Sequence, residues 1–187
     1  MTFPQWSAPA SWTLYSRIKT TMAETPAAPA PARQVLLQKM YVKDASLEVP
    51  TAPQVFTRNW QPNMDVQVNT QINAIAPDTY NIVLSVTVTA KLESDVAFLV
   101  EVHQAGIFAV SGFVDQVELG AVLGGYCPGL LFPFARQVVA DLVQQGGFPQ
   151  LLLQPINFDA LYLEHQTRAH AEQVAQPSTH EASASKH

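Results

Sequence analysis

Two carboxylates are the first candidates for chemistry in this sequence. Asp44 and Glu48 lie four positions apart in a stretch that reads as a β-strand, and this even spacing places both side chains on one face. Paired carboxylates perform acid–base catalysis when a pocket perturbs their protonation. The surrounding residues predict an exposed strand rather than a pocket, and carboxylates in that setting are usually solvated. We therefore expect no catalysis from this pair.

A thiol is the second candidate. Cys127 is the only cysteine of the chain, which excludes an intramolecular disulfide and indicates a reducing compartment. As a nucleophile it would need a histidine partner, for which the folded region offers His103 and His165. Free cysteines are more often buried and inert, so we predict a structural thiol.

Other patterns for catalysis or ligand binding are missing from the sequence. No glycine-rich phosphate-binding motif follows a predicted strand. The remaining histidines, His170, His180 and His187, fall in the C-terminal tail, so the core cannot assemble a metal cluster from them. We expect a protein that is not an enzyme and that needs no metal or other cofactor.

Composition narrows the class of partner. Hydrophobic residues make up 48% of the 187 residues and charged residues 13%. So little charge predicts surface buried in an oligomer, or apolar surface kept for a partner. Between residues 34 and 165, twelve Asp and Glu stand against five Lys and Arg, which disfavours nucleic acid and favours a basic partner. No apolar run approaches the ~20 residues of a membrane helix, so we expect a cytoplasmic protein without membrane insertion.

Three regions differ in composition. Residues 1–33 are rich in Pro and Ala and are predicted to be a disordered extension, within which Met22 is an alternative start. Residues 34–165 carry regular hydrophobic patterns and form the predicted folded domain. Residues 166–187 contain no Leu, Ile or aromatic residue, which predicts a disordered tail because ordering it would bury too little apolar area.

The first half of the domain has the period of β-strands. Apolar and polar residues alternate over 64–74, 82–92 and 96–103, with turn formers between these runs. A less regular strand is predicted at about 35–49. Together these runs predict a four-stranded antiparallel meander.

The second half has the period of helices. Phe134, Val138 and Leu142 recur at helical spacing, with Pro133 suited to the first turn and Gly146 to the end. Apolar residues also flank this stripe, so the helix needs cover on two sides, and one sheet supplies only one. A second copy of the chain would supply the other.

A second helix is predicted to begin at Asn157, whose side chain can cap it. It places Phe158, Leu161 and Tyr162 along one stripe. Strands followed by helices, without alternation, indicate the α+β fold class.

Two large aromatic residues lie in a proline-rich loop. Phe56 and Trp60 fall within residues 52–62, which contain prolines at both ends. Such side chains either pin a loop to the core or line a cleft, and the sequence leaves both interpretations open.

Several motifs, taken together, resemble the SecB family of protein-export chaperones. They are YVKDASLE at 41–48, WQP at 60–62, VTVTA at 86–90, GIF at 106–108, YCP at 126–128, LFP at 131–133, FPQL at 148–151 and PINFDAL at 155–161. The resemblance covers about residues 34–165, and the shared order of short motifs makes it specific. The chain departs from the family in its N-terminal extension and its Gly124-Gly125 pair.

The resemblance implies a homotetramer, a dimer of dimers with the helices packed between two sheets. It implies that the chain binds unfolded precursor polypeptides, keeps them competent for translocation and delivers them to the motor ATPase SecA. In the family an acidic sheet face docks the basic, zinc-bearing tail of that motor, and the matching positions are Asp44, Glu48, Leu99 and Glu101. The implied client-binding positions are Phe56, Trp60, Met64, Val66, Val68 and Phe98.

Two other functions stay open. One is a SecB-like chaperone of a toxin–antitoxin system, which would have the same fold and a narrower set of clients. The other is a small protein that binds an apolar ligand or lipid, which would hold one enclosed cavity rather than open grooves.

Overall fold

The computed structural model describes residues 32–175 of the chain. Within these residues, four antiparallel strands form one sheet whose order is β1-β4-β3-β2. The strands are β1 (Gln34–Glu48), β2 (Asn63–Ala76), β3 (Thr79–Leu92) and β4 (Asp95–Ser111). The predicted four-stranded antiparallel sheet is confirmed, but its order is not that of a simple meander.

Connection lengths explain the order of the strands. The turns Pro77-Asp78 and Glu93-Ser94 join β2 to β3 and β3 to β4, so these three strands are neighbours. The segment 49–62, which includes a 3₁₀ turn over Gln54–Thr57, carries the chain from β1 at one edge to β2 at the other. Alternation of residue types predicts strands and faces but not pairing partners, and the meander prediction failed there.

The irregularity of β1 has a structural cause. Its register against β4 shifts between Leu37 and Lys39 and again between Val42 and Asp44. Each shift leaves an extra residue in β1 and moves the following side chains to the other face, which breaks the period of two.

The helical half is longer than predicted. Helix α1 (Gln116–Ala121) leads through a π turn (Val122–Tyr126) into α2 (Cys127–Gln145), and Asp115 caps α1 by accepting a hydrogen bond from Val117 N at 2.9 Å. The prediction that Pro133 lies in the first turn of its helix is wrong, because Pro133 lies inside α2. Pro128 occupies the first turn of α2 instead.

Packing on the sheet explains why α2 continues through Pro133. A proline in a helix interior removes one backbone hydrogen bond and crowds the preceding turn. Leu131, Ala135 and Val139 are fully buried on either side of it. Burial of such apolar side chains contributes about 1.5–3 kcal/mol each for the larger ones, which offsets the cost of the proline.

By length and composition, the helical stretch Gln116–Gln145 could cross a membrane, since its most apolar 18-residue window has a mean hydropathy of 1.3. The expectation of no such stretch is therefore wrong. About 33% of that window is buried inside the chain. One face of α2 packs on the sheet, and other apolar side chains of the same stretch stay exposed.

Helix α3 (Phe158–Ala175) begins as predicted. Ala160 N donates to Oδ1 of Asn157 at 3.0 Å, which confirms the capping role of Asn157. The helix runs ten residues past the predicted domain end at 165, because Gln and Ala favour helices and Arg168 pairs with Glu164 at 2.9 Å. Residues 1–31 and 176–187 of the predicted extension and tail lie outside the described residues.

The core lies between α2 and one face of the sheet, which we call the inner face. It is formed by alternate residues of β3 and β4 and by one stripe of α2. The largest fully buried side chains include Ile82, Leu84, Val86, Val88, Phe98, Val100, Val102, Phe108 and Leu131. The opposite, outer face carries the polar half of the same alternation.

The thiol of Cys127 is part of this core. The residue has no exposed surface, and burial raises the pKa of its thiol to about 12. Low dielectric surroundings favour the neutral thiol over the thiolate, so the predicted structural role fits and the role of nucleophile does not.

We expect the native Cys127 thiol to resist alkylation. At pH 8 a thiol with a pKa near 12 is about 10⁻⁴ ionised, so iodoacetamide should label the folded chain about a thousandfold more slowly than the chain unfolded in guanidinium. Mass spectrometry over time measures both rates. Native labelling as fast as that of the unfolded chain would contradict the burial of this thiol.

Candidate functional site

Aromatic side chains meet at one end of the inner face. The Trp60 ring lies 5.1 Å from that of Phe148 and stacks at 6.3 Å over Phe98. Phe148 also lies 4.9 Å from Phe98 and 5.2 Å from Phe56. We call these four residues the aromatic cluster. Ring centroids at these distances are those of favourable aromatic pairs.

The loop that carries Phe56 and Trp60 is fixed to the sheet. Val55 is buried, Thr51 Oγ1 donates to Val96 O at 3.0 Å, and Arg58 pairs with Asp95 at 2.8 Å. These contacts hold the backbone of the loop. The aromatic side chains are thereby left free to form a surface.

The residues of the aromatic cluster differ in exposure, which indicates different roles. Phe56 is 51% exposed and Trp60 is half-buried, whereas Phe98 is 1% exposed. Phe56 and Trp60 therefore present apolar area to solvent, and Phe98 supports them from beneath. Both interpretations of the loop hold in part, because one set of its residues pins it and another lines a surface.

The predicted client-binding residues of β2 continue from this cluster along the inner face. Met64 lies opposite Ala90, which in turn lies opposite Phe98, so Met64 and Phe98 belong to one row of side chains. Val66 and Val68 occupy the next two rows toward the other end of β2. The structure thus brings the six predicted client-binding residues onto one side of the molecule.

A cavity of about 530 Å³ lies beside β2. One wall is formed by Val66 and Val68 and the other by the extended segment 152–156 and by Leu161 of α3. A second cavity of about 230 Å³ shares Val68 and Leu161 with it and continues between β2 and α3. We call the two together the apolar groove.

The apolar groove is open to solvent. Val66 is 41% exposed and Leu152 is 64% exposed. A contiguous patch of exposed apolar side chains often marks a surface that binds another molecule. An open trough of this kind differs from the enclosed cavity expected of a protein that binds one small apolar ligand.

The second wall of the groove was missed in the sequence. The pairs Leu152-Leu153 and Pro155-Ile156 supply it, together with Leu161, while Phe148 completes the aromatic cluster. The sequence contains one signal for this wall. The apolar run that follows Gly146-Gly147 includes a proline, so it cannot continue the helix. The strand that it faces could not be inferred from that run.

Acidic residues gather on the outer face of the sheet. Along the β1–β4 ladder, Glu48 lies opposite Leu99, Ser46 opposite Glu101 and Asp44 opposite His103. Residues directly opposite in an antiparallel pair point to the same face, with Cβ atoms about 5 Å apart. Asp44, Glu48, Leu99 and Glu101 therefore share one face, and we call them the acidic patch.

The register of β1 against β4 places Glu101 on the same face as Asp44 and Glu48. Its position opposite Ser46 places it between the two carboxylates of β1. His103 Nε2 lies 2.8 Å from Glu101 Oε1, and both side chains are partly exposed. Three carboxylates within a few residues of each other favour cations and basic peptides over anions, and His103 orients one of them.

The residues considered for catalysis are not assembled into a site. His103 projects from the outer face of β4, whereas Cys127 is buried under the inner face. His165 lines the second cavity of the apolar groove. Among residues 32–175, no three His, Cys, Asp or Glu side chains lie close enough together to hold a metal ion.

Comparison with known proteins agrees with this architecture. The family model described as preprotein translocase subunit SecB matches residues 28–169. A protein-export protein SecB of Methylococcus capsulatus is 50% identical over 149 residues, which are 80% of this chain and 94% of that protein. One of Nitrosococcus oceani is 54% identical over 135 residues, which are 71% of this chain and 82% of that protein.

A solved structure shares the fold. A SecB-like chaperone of Mycobacterium tuberculosis, solved in complex with an antitoxin peptide, superposes with a TM-score of 0.53 at 16% identity. The match covers 65% of this chain and 87% of that one. Both the family model and the similarity to full-length relatives show that the chain belongs to the SecB family of protein-export chaperones.

Proposed function

We propose that this chain binds unfolded precursor polypeptides in the cytoplasm, keeps them competent for translocation and delivers them to the SecA ATPase, without catalysing a reaction. The observation that carries this proposal is the open apolar groove, together with the row of inner-face side chains that runs from Val66 through Met64 to the aromatic cluster. A long surface of this kind suits an extended chain better than a compact ligand. Membership of the SecB family supports the same function.

The chemistry of the groove suits clients of many sequences. The lining of its larger cavity is dominated by Val, Leu, Ile and Pro, whose burial is favourable in any orientation. Burying one large client side chain contributes about 1.5–3 kcal/mol, so one contact alone would be released quickly. Several such contacts along one client add up to firm binding and still permit release step by step.

Assembly into a tetramer, a dimer of dimers, is the second part of the proposal. Tyr126, Leu130 and Phe134 recur every four residues and are 52%, 37% and 51% exposed. They form an apolar stripe on the helix, away from the face that packs on the sheet. Contact with the helices of another copy would cover it, and four copies would carry four grooves.

The acidic patch is the proposed docking surface for SecA. It lies on the outer face of the sheet, whereas the apolar groove lies along the inner face. A basic segment would be steered toward the three carboxylates, and Leu99 would add an apolar contact. Separation of the two surfaces would let the motor dock while a client is still bound.

We expect the chain to be a tetramer at micromolar concentration, with a mass four times the 20.4 kDa of one chain. Phe134→Glu should dissociate it, because each interface would then bury a charge. Leu163→Glu is the matched control, since Leu163 is 64% exposed on α3, apart from the stripe. Light scattering measures all three proteins. A stable monomer of the parent would contradict the architecture.

Replacing Met64, Val66 and Val68 together by Ala should weaken binding of an unfolded precursor and leave the tetramer intact. The change removes apolar area from the groove and from the row that leads to the aromatic cluster. We expect a loss of about 2 kcal/mol, which is roughly thirtyfold in Kd. Calorimetric titration with a precursor kept unfolded measures the change.

The same strand supplies the control. Asp65 and Gln67 alternate with the three apolar residues, face the other side of the sheet and line neither cavity of the groove. Their double replacement by Ala should leave client affinity unchanged. If the groove variant binds as tightly as the parent, these three apolar residues serve only the core.

Glu101→Lys should weaken binding of SecA at least about tenfold at low salt, because the new positive charge between Asp44 and Glu48 would repel a basic segment of SecA. Client affinity should be unchanged. The difference should shrink as salt screens charges over ~10 Å at 0.1 M. Glu164→Lys makes the same change of charge on exposed α3 and should have little effect. Calorimetry with SecA decides, and equal affinity for parent and Glu101→Lys at low salt would refute the docking patch.

A further inference from the structure

Helix α3 forms part of the wall of the apolar groove, so whatever holds α3 also sets the width of the groove. Leu161 lines both cavities, and Phe158 and Tyr162 line the second. The start of α3 is anchored by the Asn157 cap and by Phe158, whose ring packs 5.5 Å from that of Phe132. The next turn of α3 packs on glycines rather than on another aromatic ring.

Tyr162 rests on glycines of α1 and of the π turn. A Cβ atom added at Gly124 would overlap the Tyr162 ring, and it would lie only 2.7 Å from Cε2 and 3.3 Å from Cγ. A Cβ at Gly120 would overlap the hydroxyl of the same tyrosine. Gly120 and Gly124 are one helical turn apart, so together they leave a flat seat for the whole ring.

The neighbouring glycine makes a similar close approach. A Cβ at Gly125 would overlap the Asp159 carboxylate and lie 3.3 Å from its Cα. A side chain at position 125 would thus press on the Asp159 carboxylate and lie close to the backbone of α3. The Gly124-Gly125 pair lies at the point of that approach.

Space rather than backbone conformation explains glycine at position 124. Among the glycines of residues 32–175, positive φ angles occur at Gly112 and Gly147, and Gly124 lies in the π turn. Glycine is one of the least favourable residues inside a helix, so alanine would be preferred there if the space were free. The overlap with Tyr162 opposes that preference.

We propose that Gly124 is a positioning residue for client binding. By admitting the Tyr162 ring, it sets the distance between α3 and β2 and so the shape of the apolar groove, in whose second cavity Gly124, Tyr162 and Val68 meet. The inference rests on the proposed function only for its effect on clients. The seat of α3 itself can be tested without a client.

The decisive comparison is Gly124→Ala against Gly129→Ala. Both add one methyl group to the same helical stretch, but a Cβ at Gly129 meets its nearest neighbour, Cδ2 of Phe158, at an ordinary 4.0 Å. Gly124→Ala should raise the Kd for a client about tenfold and speed amide exchange within residues 160–168 while the sheet amides stay protected. Gly129→Ala should match the parent in both measurements.

The client probe is a small secreted protein kept unfolded by reduction and carbamidomethylation of its cysteines. Amide exchange is followed by mass spectrometry on the full chain without the probe. Repeating both measurements in a Tyr162→Ala background isolates the cause, because alanine removes every side-chain atom that the added Cβ would meet and Gly124→Ala should then change Kd less than about twofold. An undiminished effect in that background would overturn the role of the ring.

The remaining outcomes are distinct. A parent that binds no unfolded probe refutes the proposed function, while the exchange of α3 amides still decides whether Gly124 seats the helix. A parent that binds the probe and a Gly124→Ala variant that equals it in Kd and exchange overturn the inference. Should Gly124→Ala fail to fold, Tyr162→Ala alone takes its place, and unchanged α3 exchange in that variant overturns the inference equally.

Discussion

The packing of α2 across the inner face of β3 and β4 is the contact on which the rest of the structure depends. Leu131, Ala135 and Val139 meet a row of fully buried valines there. This contact assigns the two faces of the sheet, because the apolar half of each alternating strand must turn toward the helix. The polar half then faces outward, and the acidic patch follows from the same alternation.

The apolar groove lies beside β2, beyond the strands that α2 covers. α2 crosses the middle strands, and β2 at the edge is covered instead by the extended segment 152–156 and by α3. An extended segment buries less of the strand than a packed helix does, so Val66 stays 41% exposed. The groove is thus a part of the core face that the chain itself leaves incompletely covered, which is what a protein that grips unfolded chains needs.

The close approach of α3 to the π turn completes the apolar groove. The π turn interrupts the helix between α1 and α2 where glycines occupy consecutive positions, and α3 approaches it through Tyr162 and Asp159. π turns often occur at functional positions because they re-aim one side of a helix. Here the interruption stands beside the second cavity of the groove, so a local change of helix geometry shapes the surface presented to a client.

The sequence by itself determined the local features. Periods of two and 3.6 predicted the sheet and the helices, Asn157 predicted its cap, and the even spacing of Asp44 and Glu48 placed them on one face, because each of these depends on neighbours along the chain. Only the tertiary structure decided that β1 pairs with β4, that α2 continues through Pro133, that Glu101 lies between the two carboxylates, and that residues 152–156 face β2. Those features depend on contacts between distant segments, and burial against a distant segment overrides local preference wherever the two conflict.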